Sequence, residues 1–364
     1  MSATAVSTAQ ILIGLTGLVV GGELLVRGAA ALAMAVRITP LVIGLTVVAF
    51  GTSAPELAVT VQASWSGAPE LAVGNVVGSN IANVLLILGL SALVAPLVVQ
   101  SRVVRIDVPL MVGCSIVLWL LVLDRSVGRL DGLLLFSALI GYLVWSVIQG
   151  KREGTAIQEE FAEALPHDGS TVRYFAKQVG LLVGGLVLLV IAARLLVGGA
   201  SDIARQLGVS ELVIGLTIVA VGTSLPELVT SIVASLRGQR DIAVGNVVGS
   251  NLYNILAVLG LGSLVAPNGI AVAPQVIGLD LPIMIATAAA CLPIFFTGHR
   301  INRLEGGLLF FYFLAYMAYV VMGATEADAM RSFELAMVGF VFPLSALAVA
   351  FSVFQHVGNN RRAS

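Results

Sequence analysis

Charged residues are scarce in this chain of 364 residues: they make up 11% of it, whereas 58% is hydrophobic. Aromatic residues account for only 6%, and there are three histidines and two cysteines. A soluble domain carries about 25% charged residues, so the composition excludes an ordinary soluble protein. Two isolated cysteines, without a CxxC pair, also exclude a disulfide scaffold and a cysteine-rich metal centre.

Long apolar runs are abundant instead. Eleven of them reach the roughly 20 residues needed to cross a bilayer, and they are centred near residues 22, 53, 83, 113, 140, 190, 224, 253, 287, 312 and 345. The one longer polar segment, residues 151–173, is predicted to be a partly flexible linker loop. The sequence therefore predicts an all-α polytopic membrane protein.

The basic residues between these runs predict the orientation. If the N-terminus lies outside, thirteen Lys and Arg residues fall in cytoplasmic loops and four in the opposite loops. Because cytoplasmic loops carry the excess of Lys and Arg, the N-terminus is expected outside and residues 151–173 in the cytoplasm.

The sequence contains two copies of two motifs. IGLTVVAFGTSAPEL (43–57) returns as IGLTIVAVGTSLPEL (214–228), and AVGNVVGSNIANVL (72–85) returns as AVGNVVGSNLYNIL (243–256). Both pairs have the same offset, since 222 − 51 = 171 and 245 − 74 = 171. This regular offset indicates a duplicated structural unit.

The duplication predicts two inverted five-helix repeats. Residues 1–150 form the first repeat and residues 174–323 the second, with the cytoplasmic linker 151–173 between them and an extra transmembrane helix and tail in 324–364. Since five spans is an odd number, the second copy enters the membrane upside down. That plan is typical of secondary transporters with a site near the midplane.

The GTSxPE motif places a carboxylate inside the membrane. Pro55 and Pro226 lack an N–H, so each is expected to bend its helix and to leave the carbonyl of Gly51 or Gly222 without its partner. Glu56 and Glu227 fall near the middle of their spans, where an ionisable group is costly and usually functional. Thr52 lies one helical turn before Glu56 and shares its face. The alternative is a protonated glutamate that only joins helices.

The second motif predicts a polar stripe on one face of a helix. Its members are spaced four residues apart, and they are Asn75, Ser79 and Asn83 in the first copy and Asn246, Ser250 and Asn254 in the second. Gly74 and Gly78 form a G-x-x-x-G pattern that allows another helix to approach closely. For Asn75 and Asn246, a role in helix packing and a role in the site both remain open.

Together the motifs offer two carboxylates, hydroxyls, amide oxygens and freed carbonyls, with no nearby histidine or thiol. This all-oxygen supply suits a hard cation, and its number and flexibility suit Ca²⁺ better than Mg²⁺. Na⁺ also accepts oxygen ligands. A site that holds either ion in turn would couple their movements, because two unpaired carboxylates are strongly disfavoured in a low-dielectric interior.

GTSxPEL followed by GNVVGSNxxN, both present twice, resembles the repeats of the cation/calcium exchanger superfamily, and above all prokaryotic sodium/calcium exchangers. The resemblance covers residues 9–323. It implies a Ca²⁺/Na⁺ antiporter that works by alternating access, is not an enzyme and needs no cofactor. It also implies a multi-pass protein of a prokaryotic inner membrane. No nucleic acid and no obligate protein partner are expected.

The resemblance also implies the ligands. Glu56 and Glu227 would bind both ions, and Thr52 and Thr223 would contribute oxygens to Ca²⁺. The Na⁺ ligands would be Ser53, Ser79, Ser224 and Ser250 with the carbonyls of Ala49 and Ala220, while Asn83 and Asn254 would close the centre. Some relatives, including potassium-dependent ones, have Asp at the position of Asn254, so Asn argues against K⁺ co-transport.

Other functions remain as alternatives. The main one is a proton-coupled Ca²⁺ antiporter of the same superfamily, in which the proton would ride on Glu56 or Glu227. A channel would tolerate the site without needing coupling. An intramembrane hydrolase is disfavoured because the chain has neither GxSxG nor HExxH.

Some polar residues are not explained by the two motifs. Glu23 is expected to pair with Arg194, its counterpart at offset 171, or with Arg27 one turn away. Asp107 and Asp280 are predicted to cap helix starts. Two further carboxylates, Glu70 and Asp241, are expected either to attract cations or to be solvated residues at helix starts.

Overall fold

The computed structural model describes residues 3–36, 38–161, 171–296 and 298–325, together with four single positions between 330 and 337. In this part of the chain, eight helices are long and apolar enough to cross a membrane, and two bent helix pairs raise the number to ten. They coincide with the first ten predicted spans, which confirms a polytopic helical membrane protein. Most of the predicted span at 333–356 lies outside the described residues.

The helices are α1 (Ala3–Ala35), α2 (Pro40–Thr52), α3 (Ala54–Trp65), α4 (Pro69–Val94), α5 (Val103–Asp124), α6 (Arg129–Phe161), α7 (Thr171–Gln206), α8 (211–223), α9 (Leu225–Leu236), α10 (Arg240–Val265), α11 (Val276–Phe296) and α12 (Arg303–Ala324). The strands are β1 (Leu97–Val98), β2 (Ser126–Val127), β3 (Ile270–Ala271) and β4 (Arg300–Ile301). The pairs β1–β4 and β2–β3 are antiparallel and join loops of the two halves, a small addition to the predicted all-α fold.

Helices α4 and α10 form the centre of the molecule. In the most apolar 18-residue stretch of each spanning helix, all residues of α10 and 83% of those of α4 are buried, compared with at most 39% in the other spanning helices. Helix α3 packs against α10 and α9 packs against α4, so each broken pair crosses the central helix of the other half. The outer helices expose apolar side chains, as expected for contact with lipid.

Helices α1 and α7 pack against each other along their length. Glycines allow the close approach: a methyl group on Gly21 would lie 2.9 Å from the carbonyl oxygen of Gly185, and one on Gly28 would lie 2.7 Å from the backbone nitrogen of Leu182. Small residues at these positions let the two backbones meet. The pair also contacts α9, next to the predicted site.

π-helical turns interrupt the helices at matching places in the two halves. They are Gly44–Val48, Asn83–Leu88, Val103–Asp107, Gly215–Val219, Asn254–Leu259 and Val276–Asp280. Such turns are rare and occur often at functional sites. Two of them begin at Asn83 and Asn254, which are predicted site residues. The inverted relation of the two halves stays a prediction.

The prediction of a loop throughout residues 151–173 is wrong at both ends. Helix α6 continues to Phe161, and α7 already begins at Thr171. Residues 151–161 contain no proline, and seven of the eleven are Lys, Arg, Glu, Gln or Ala, which are strong helix formers, so the helix extends beyond its apolar part. Residues 162–170 lie outside the described part.

Candidate cation site

Each GTSxPE motif forms the bend between two helices. Helix α2 ends at Thr52 and α3 begins at Ala54 with a change of direction of 45°, and α8 ends at Thr223 and α9 begins at Leu225 with a change of 59°. Pro55 and Pro226 lie in the first turns of α3 and α9, where a missing N–H is tolerated. The bend predicted from proline is thus present in both halves.

Glu56 and Glu227 lie in the first turns of α3 and α9, and each is only 1% exposed. Each accepts a hydrogen bond from a serine of the other half: Ser53 Oγ donates to Glu227 Oε1 at 3.1 Å, and Ser224 Oγ donates to Glu56 Oε1 at 3.2 Å. The two motifs therefore form one site.

Within the described part of the chain, the second oxygen of each carboxylate accepts no hydrogen bond. Oε2 of Glu56 and Oε2 of Glu227 are buried and have no hydrogen-bond partner among the described residues. Both carboxylates lie at helix N-termini, where the helix dipole favours a negative charge. The site can therefore offer buried carboxylate oxygens to a cation.

Asn75 and Asn246 connect each central helix to the start of a broken helix. Asn75 Nδ2 donates to the Glu56 carbonyl at 3.1 Å and to Thr60 Oγ1 at 2.9 Å. Asn246 Nδ2 donates to the Glu227 carbonyl at 3.2 Å and to Ser231 Oγ at 3.0 Å. These bonds hold the backbone of the two glutamates, so both asparagines have a structural role beside the site.

The remaining predicted side chains from α4 and α10 are also buried there. Ser79 Oγ lies 3.4 Å from Ser224 Oγ, whose only proton goes to Glu56, whereas Ser250 Oγ has no partner among the described residues. Asn83 likewise has both amide atoms unpaired within this part of the chain. Asn254 Nδ2 donates to Asn80 Oδ1 at 3.1 Å, which leaves Asn254 Oδ1 buried and unbonded within the same residues. Unpaired buried oxygens are costly unless a ligand uses them.

The outer parts of the site differ between the halves. Ala49 and Thr52 are fully buried, and Thr52 Oγ1 donates to Asn246 Oδ1 at 3.1 Å. Ala220 is exposed and Thr223 is half-buried, with its hydroxyl 3.4 Å from the carbonyl oxygen of Ala220 in its own turn. Among the predicted residues, hydrogen bonds join Ser53 and Ser224 to the two glutamates. The α8 side is the more exposed of the two.

Most of the candidate ligand atoms of the site are neutral oxygens. Within the described ranges, no group of three or more His, Cys, Asp and Glu residues could hold a metal ion. The two glutamates are instead accompanied by hydroxyl and amide groups, which suit Ca²⁺ and Na⁺ better than a transition metal.

Glu23 lies outside the site and pairs with two arginines. It accepts from Arg27, as one alternative predicted, and Arg237 reaches it from the end of α9 at 2.7 Å and 2.8 Å. The other alternative, Arg194, lies on an exposed face of α7. Sequence reasoning missed Arg237 because the residue at its repeat position in the first half is Ser66, which carries no charge.

Two further expectations concerned carboxylates at helix starts. Asp107 is not a cap: its side chain makes no capping bond, accepts from Tyr142 Oη at 3.1 Å and lies 3.6 Å from Arg102. Burial next to an arginine explains the difference, since a buried carboxylate needs a partner. Asp241 accepts from Gln100 at 2.8 Å, and Glu70 is exposed. The capping role of Asp280 stays a prediction.

Sequence reasoning also left out Asn80 and Asn251. Both lie in the repeated GSNxxN motif, three residues before Asn83 and Asn254, and both are at most 3% exposed. Their repetition at the same offset of 171, since 251 − 80 = 171, was the signal that could have found them.

The family model for the sodium/calcium exchanger protein matches residues 6–148 and 177–322, which include both broken helix pairs and both central helices. The chain belongs to the sodium/calcium exchanger family. This family consists of membrane ion exchangers, so the expectations of an antiporter and of a protein that is not an enzyme are confirmed.

Three relatives with similar sequences come from bacteria and archaea. CaxA of Alkalimonas amylolytica is 41% identical over 320 residues, covering 85% of this chain and 97% of the relative. Inner membrane protein YrbG of Escherichia coli is 43% identical over 270 residues, covering 72% and 81%. The sodium/calcium exchanger MaX1 of Methanosarcina acetivorans is 33% identical over 338 residues, covering 84% and 96%.

The fold is similar to that of a solved exchanger. The structure of the sodium-calcium exchanger NCX_Mj soaked with 10 mM Na⁺ and zero Ca²⁺ superimposes with a TM-score of 0.75 at 30% identity, covering 86% of this chain and 99% of that one. The fold class expected from the resemblance is thereby confirmed.

Proposed function

We propose that this protein exchanges Ca²⁺ for Na⁺ across the membrane by alternating access. The proposal rests above all on the reciprocal contacts of Ser53 with Glu227 and of Ser224 with Glu56, which join two buried carboxylates from the two halves. Each carboxylate keeps one oxygen for a ligand. Two ionised glutamates balance one Ca²⁺ ion or two Na⁺ ions.

The proposed ligands are the residues gathered around these carboxylates. Glu56 and Glu227 bind either ion, and Thr52 and Thr223 contribute oxygens to Ca²⁺. The Na⁺ ions use the hydroxyls and carbonyls of Ser53, Ser79, Ser224, Ser250, Ala49 and Ala220, and Asn83 and Asn254 close the centre. This supply fits the six to eight oxygens that Ca²⁺ takes in proteins.

Coupling follows from the cost of an empty site. Two carboxylates without a cation are strongly disfavoured when they are buried in a low-dielectric interior. The protein therefore switches the side to which the site opens only when a cation is bound. Na⁺ can occupy the site because it binds neutral oxygens of the protein as well as the carboxylates. The names of MaX1 and NCX_Mj, which specify sodium and calcium, support Na⁺ as the coupling ion.

The difference between the two sides of the site supports alternating access. On the α2 side, Gly245 and Gly249 of α10 lie so close to α2 that added methyl groups would meet its backbone at 2.8 Å and 2.9 Å. On the α8 side, methyl groups on Gly74 and Gly78 of α4 would meet no described atom within 4 Å. In the opposite state the two contacts would be exchanged between the halves.

The orientation and domain arrangement form part of the proposal. The protein lies in a prokaryotic inner membrane with residues 151–173 in the cytoplasm, and residues 1–150 and 174–323 are inverted repeats. The open α8 side then faces outwards. A cysteine in the 162–170 segment, in a background without Cys114 and Cys291, should react with an impermeant thiol reagent in inverted vesicles only. Reaction in intact cells would reverse the orientation.

The coupling ion is tested in proteoliposomes. Vesicles loaded with Na⁺ and diluted into Na⁺-free buffer with labelled Ca²⁺ should accumulate Ca²⁺ at constant pH, whereas a proton gradient without Na⁺ should drive little uptake. Alanine at Ser53, Ser79, Ser224 and Ser250 should weaken the Na⁺ dependence more than the Ca²⁺ affinity. Ser115→Ala is a matched control, because this buried serine bonds to Met111 in its own helix.

The second candidate function is a proton-coupled Ca²⁺ antiporter, in which the proton rides on Glu56 or Glu227. Robust uptake driven by the proton gradient alone, and insensitive to Na⁺, would contradict Na⁺ coupling and favour this candidate.

A further inference from the structure

We propose that Asn80 is a positioning residue, which turns the amide of Asn254 so that its oxygen faces the cation. The inference rests on the proposed function, in which Asn254 lies at the centre of the site. Asn80 lies on α4 and Asn254 on α10, so this contact joins the two central helices. Both side chains are at most 3% exposed.

The orientation of both amides follows from a sulfur atom on α11. Asn80 Nδ2 lies 3.5 Å from Met284 Sδ, and Met284 is 2% exposed. A thioether sulfur accepts hydrogen bonds but cannot donate them. If the amide of Asn80 were reversed, its oxygen would face the sulfur and two acceptors would meet without a proton between them.

The next contact carries this orientation to the site. Because the nitrogen of Asn80 faces Met284, its oxygen faces Asn254 and accepts from Asn254 Nδ2 at 3.1 Å. The nitrogen of Asn254 is thereby fixed on Asn80, and its oxygen is turned away, buried and without a hydrogen-bond partner in the described chain. A cation needs an oxygen at this point, since the amide nitrogen would repel it.

The other half contains the same three residue types without the same bonds. Asn251 and Asn83 correspond to Asn80 and Asn254 at the offset of 171, and Met111 follows Asp107 by four residues, as Met284 follows Asp280. The amide atoms of Asn251 and Asn83 have no hydrogen-bond partners within the described residues. The orienting contacts are therefore made in one half only, and the oxygen of Asn254 is the one that they fix.

The proposal is tested by a double-mutant cycle on the Ca²⁺ concentration that gives half-maximal uptake (KM). Asn80→Leu removes both amide contacts at similar volume, and it should raise KM about tenfold, as expected for a lost hydrogen bond that orients a charged contact, while leaving the maximal rate within about twofold. In an Asn254→Ala background the same change should alter KM by less than about twofold.

A conservative variant and a variant of the sulfur separate orientation from packing. Asn80→Asp still accepts from Asn254 Nδ2, and it should keep KM within about threefold of the wild type. Met284→Leu should raise KM about twofold, because it removes only the outermost contact. Elution of each variant from a size-exclusion column in detergent checks its folding.

Three outcomes would overturn the proposal: an unchanged KM in Asn80→Leu, effects of Asn80→Leu and Asn254→Ala that simply multiply, or a loss of maximal rate without a change in KM. The cycle uses whichever gradient drives uptake by the wild-type protein. A failure of Na⁺ coupling would therefore contradict the proposed function without deciding the role of Asn80.

Discussion

The two broken helix pairs, α2–α3 and α8–α9, have nearly the same sequence but different neighbours. Gly44 of α2 is so close to α10 that a methyl group would lie 2.9 Å from the carbonyl oxygen of Ile242, whereas one on Gly215 of α8 would meet no described atom within 4 Å. Ala49 is fully buried, and its counterpart Ala220 is exposed. One motif therefore occurs in a closed and in an open environment within one molecule.

This difference shows that the local sequence does not decide which side is closed. The residues that meet in the closed contact are present a second time in the open one, so the same contact could form there. What the halves share is the carboxylate centre, where the contacts of Ser53 and Ser224 are almost identical in length. Substitutions at the shared centre should therefore have larger effects than substitutions at the contacts that differ around it.

The largest effect is expected at the shared centre. Glu56→Gln and Glu227→Gln should each reduce Ca²⁺ transport at least about 100-fold, because removing one partner of a buried charged contact costs about 3 kcal/mol or more. The effects should be equal in the two halves. Uptake of labelled Ca²⁺ into proteoliposomes measures them, with elution from a size-exclusion column as the check of folding.

Near-normal uptake by either glutamine variant would remove that glutamate from the site. A large loss of Ca²⁺ uptake in only one variant would show that the two glutamates contribute unequally, although their hydrogen bonds with Ser53 and Ser224 are nearly the same. Glu70→Gln is the matched control, since Glu70 is an exposed carboxylate at the start of α4. This variant should transport Ca²⁺ normally.

The next effect concerns access. In a background without Cys114 and Cys291, Ala220→Cys should react with a water-soluble maleimide at least about tenfold faster than Ala49→Cys, because a minor state is populated at roughly 10% or less. Detergent-solubilised protein allows the reagent to reach both sides. Equal rates would contradict the closed and open environments of the two halves.

Much of this site was predictable, because its residues appear in matched pairs. The positions of Pro55 and Pro226 predict the breaks, and membrane depth predicts that Glu56 and Glu227 are functional. The spacing of Asn75, Ser79 and Asn83 predicts one polar face, but it does not distinguish a cation ligand from an amide that holds the Glu56 carbonyl. That distinction depends on contacts between helices.

The rest was not predictable from a repeat, because it differs between the copies. Nothing in the two motifs indicates that α2 is packed and α8 is open. Arg237 has no charged counterpart, so its contact with Glu23 gives no repeated signal. Residues 151–161 follow a helix that is already formed, and their polar composition did not reveal that it continues.

An intermediate effect is expected at the glycines of the closed contact. A methyl group on Gly245 would lie 2.8 Å from the carbonyl oxygen of Leu41, so Gly245→Ala should weaken the contact between α2 and α10 by about 1–3 kcal/mol. The maleimide reaction of Ala49→Cys should then become about tenfold faster, which corresponds to about 1.4 kcal/mol.

The matched variant is Gly74→Ala on the open side. Its methyl group meets no described atom within 4 Å in this arrangement, but the opposite state would bring α8 against it. Gly74→Ala should therefore slow both transport and the reaction of Ala49→Cys. Normal transport by Gly74→Ala would argue against an exchange of the two contacts.

The smallest effect is expected at the ion pair that joins α1 to the end of α9. Arg237 binds both carboxylate oxygens of Glu23, but the two side chains are 54% and 21% exposed, so the pair contributes about 1 kcal/mol or less. At the equivalent place in the other half, Arg194 and Ser66 cannot form an ion pair.

The bridge between Glu23 and Arg237 therefore favours only one arrangement of α1 on α9. Because the opposite state is populated at roughly 10% or less, Arg237→Gln should speed the maleimide reaction of Ala49→Cys by at most about fivefold, and high salt should reduce the difference from wild type. Arg194→Gln should have no effect, and an equal effect of both variants would show that general surface charge, and not this bridge, biases the open state.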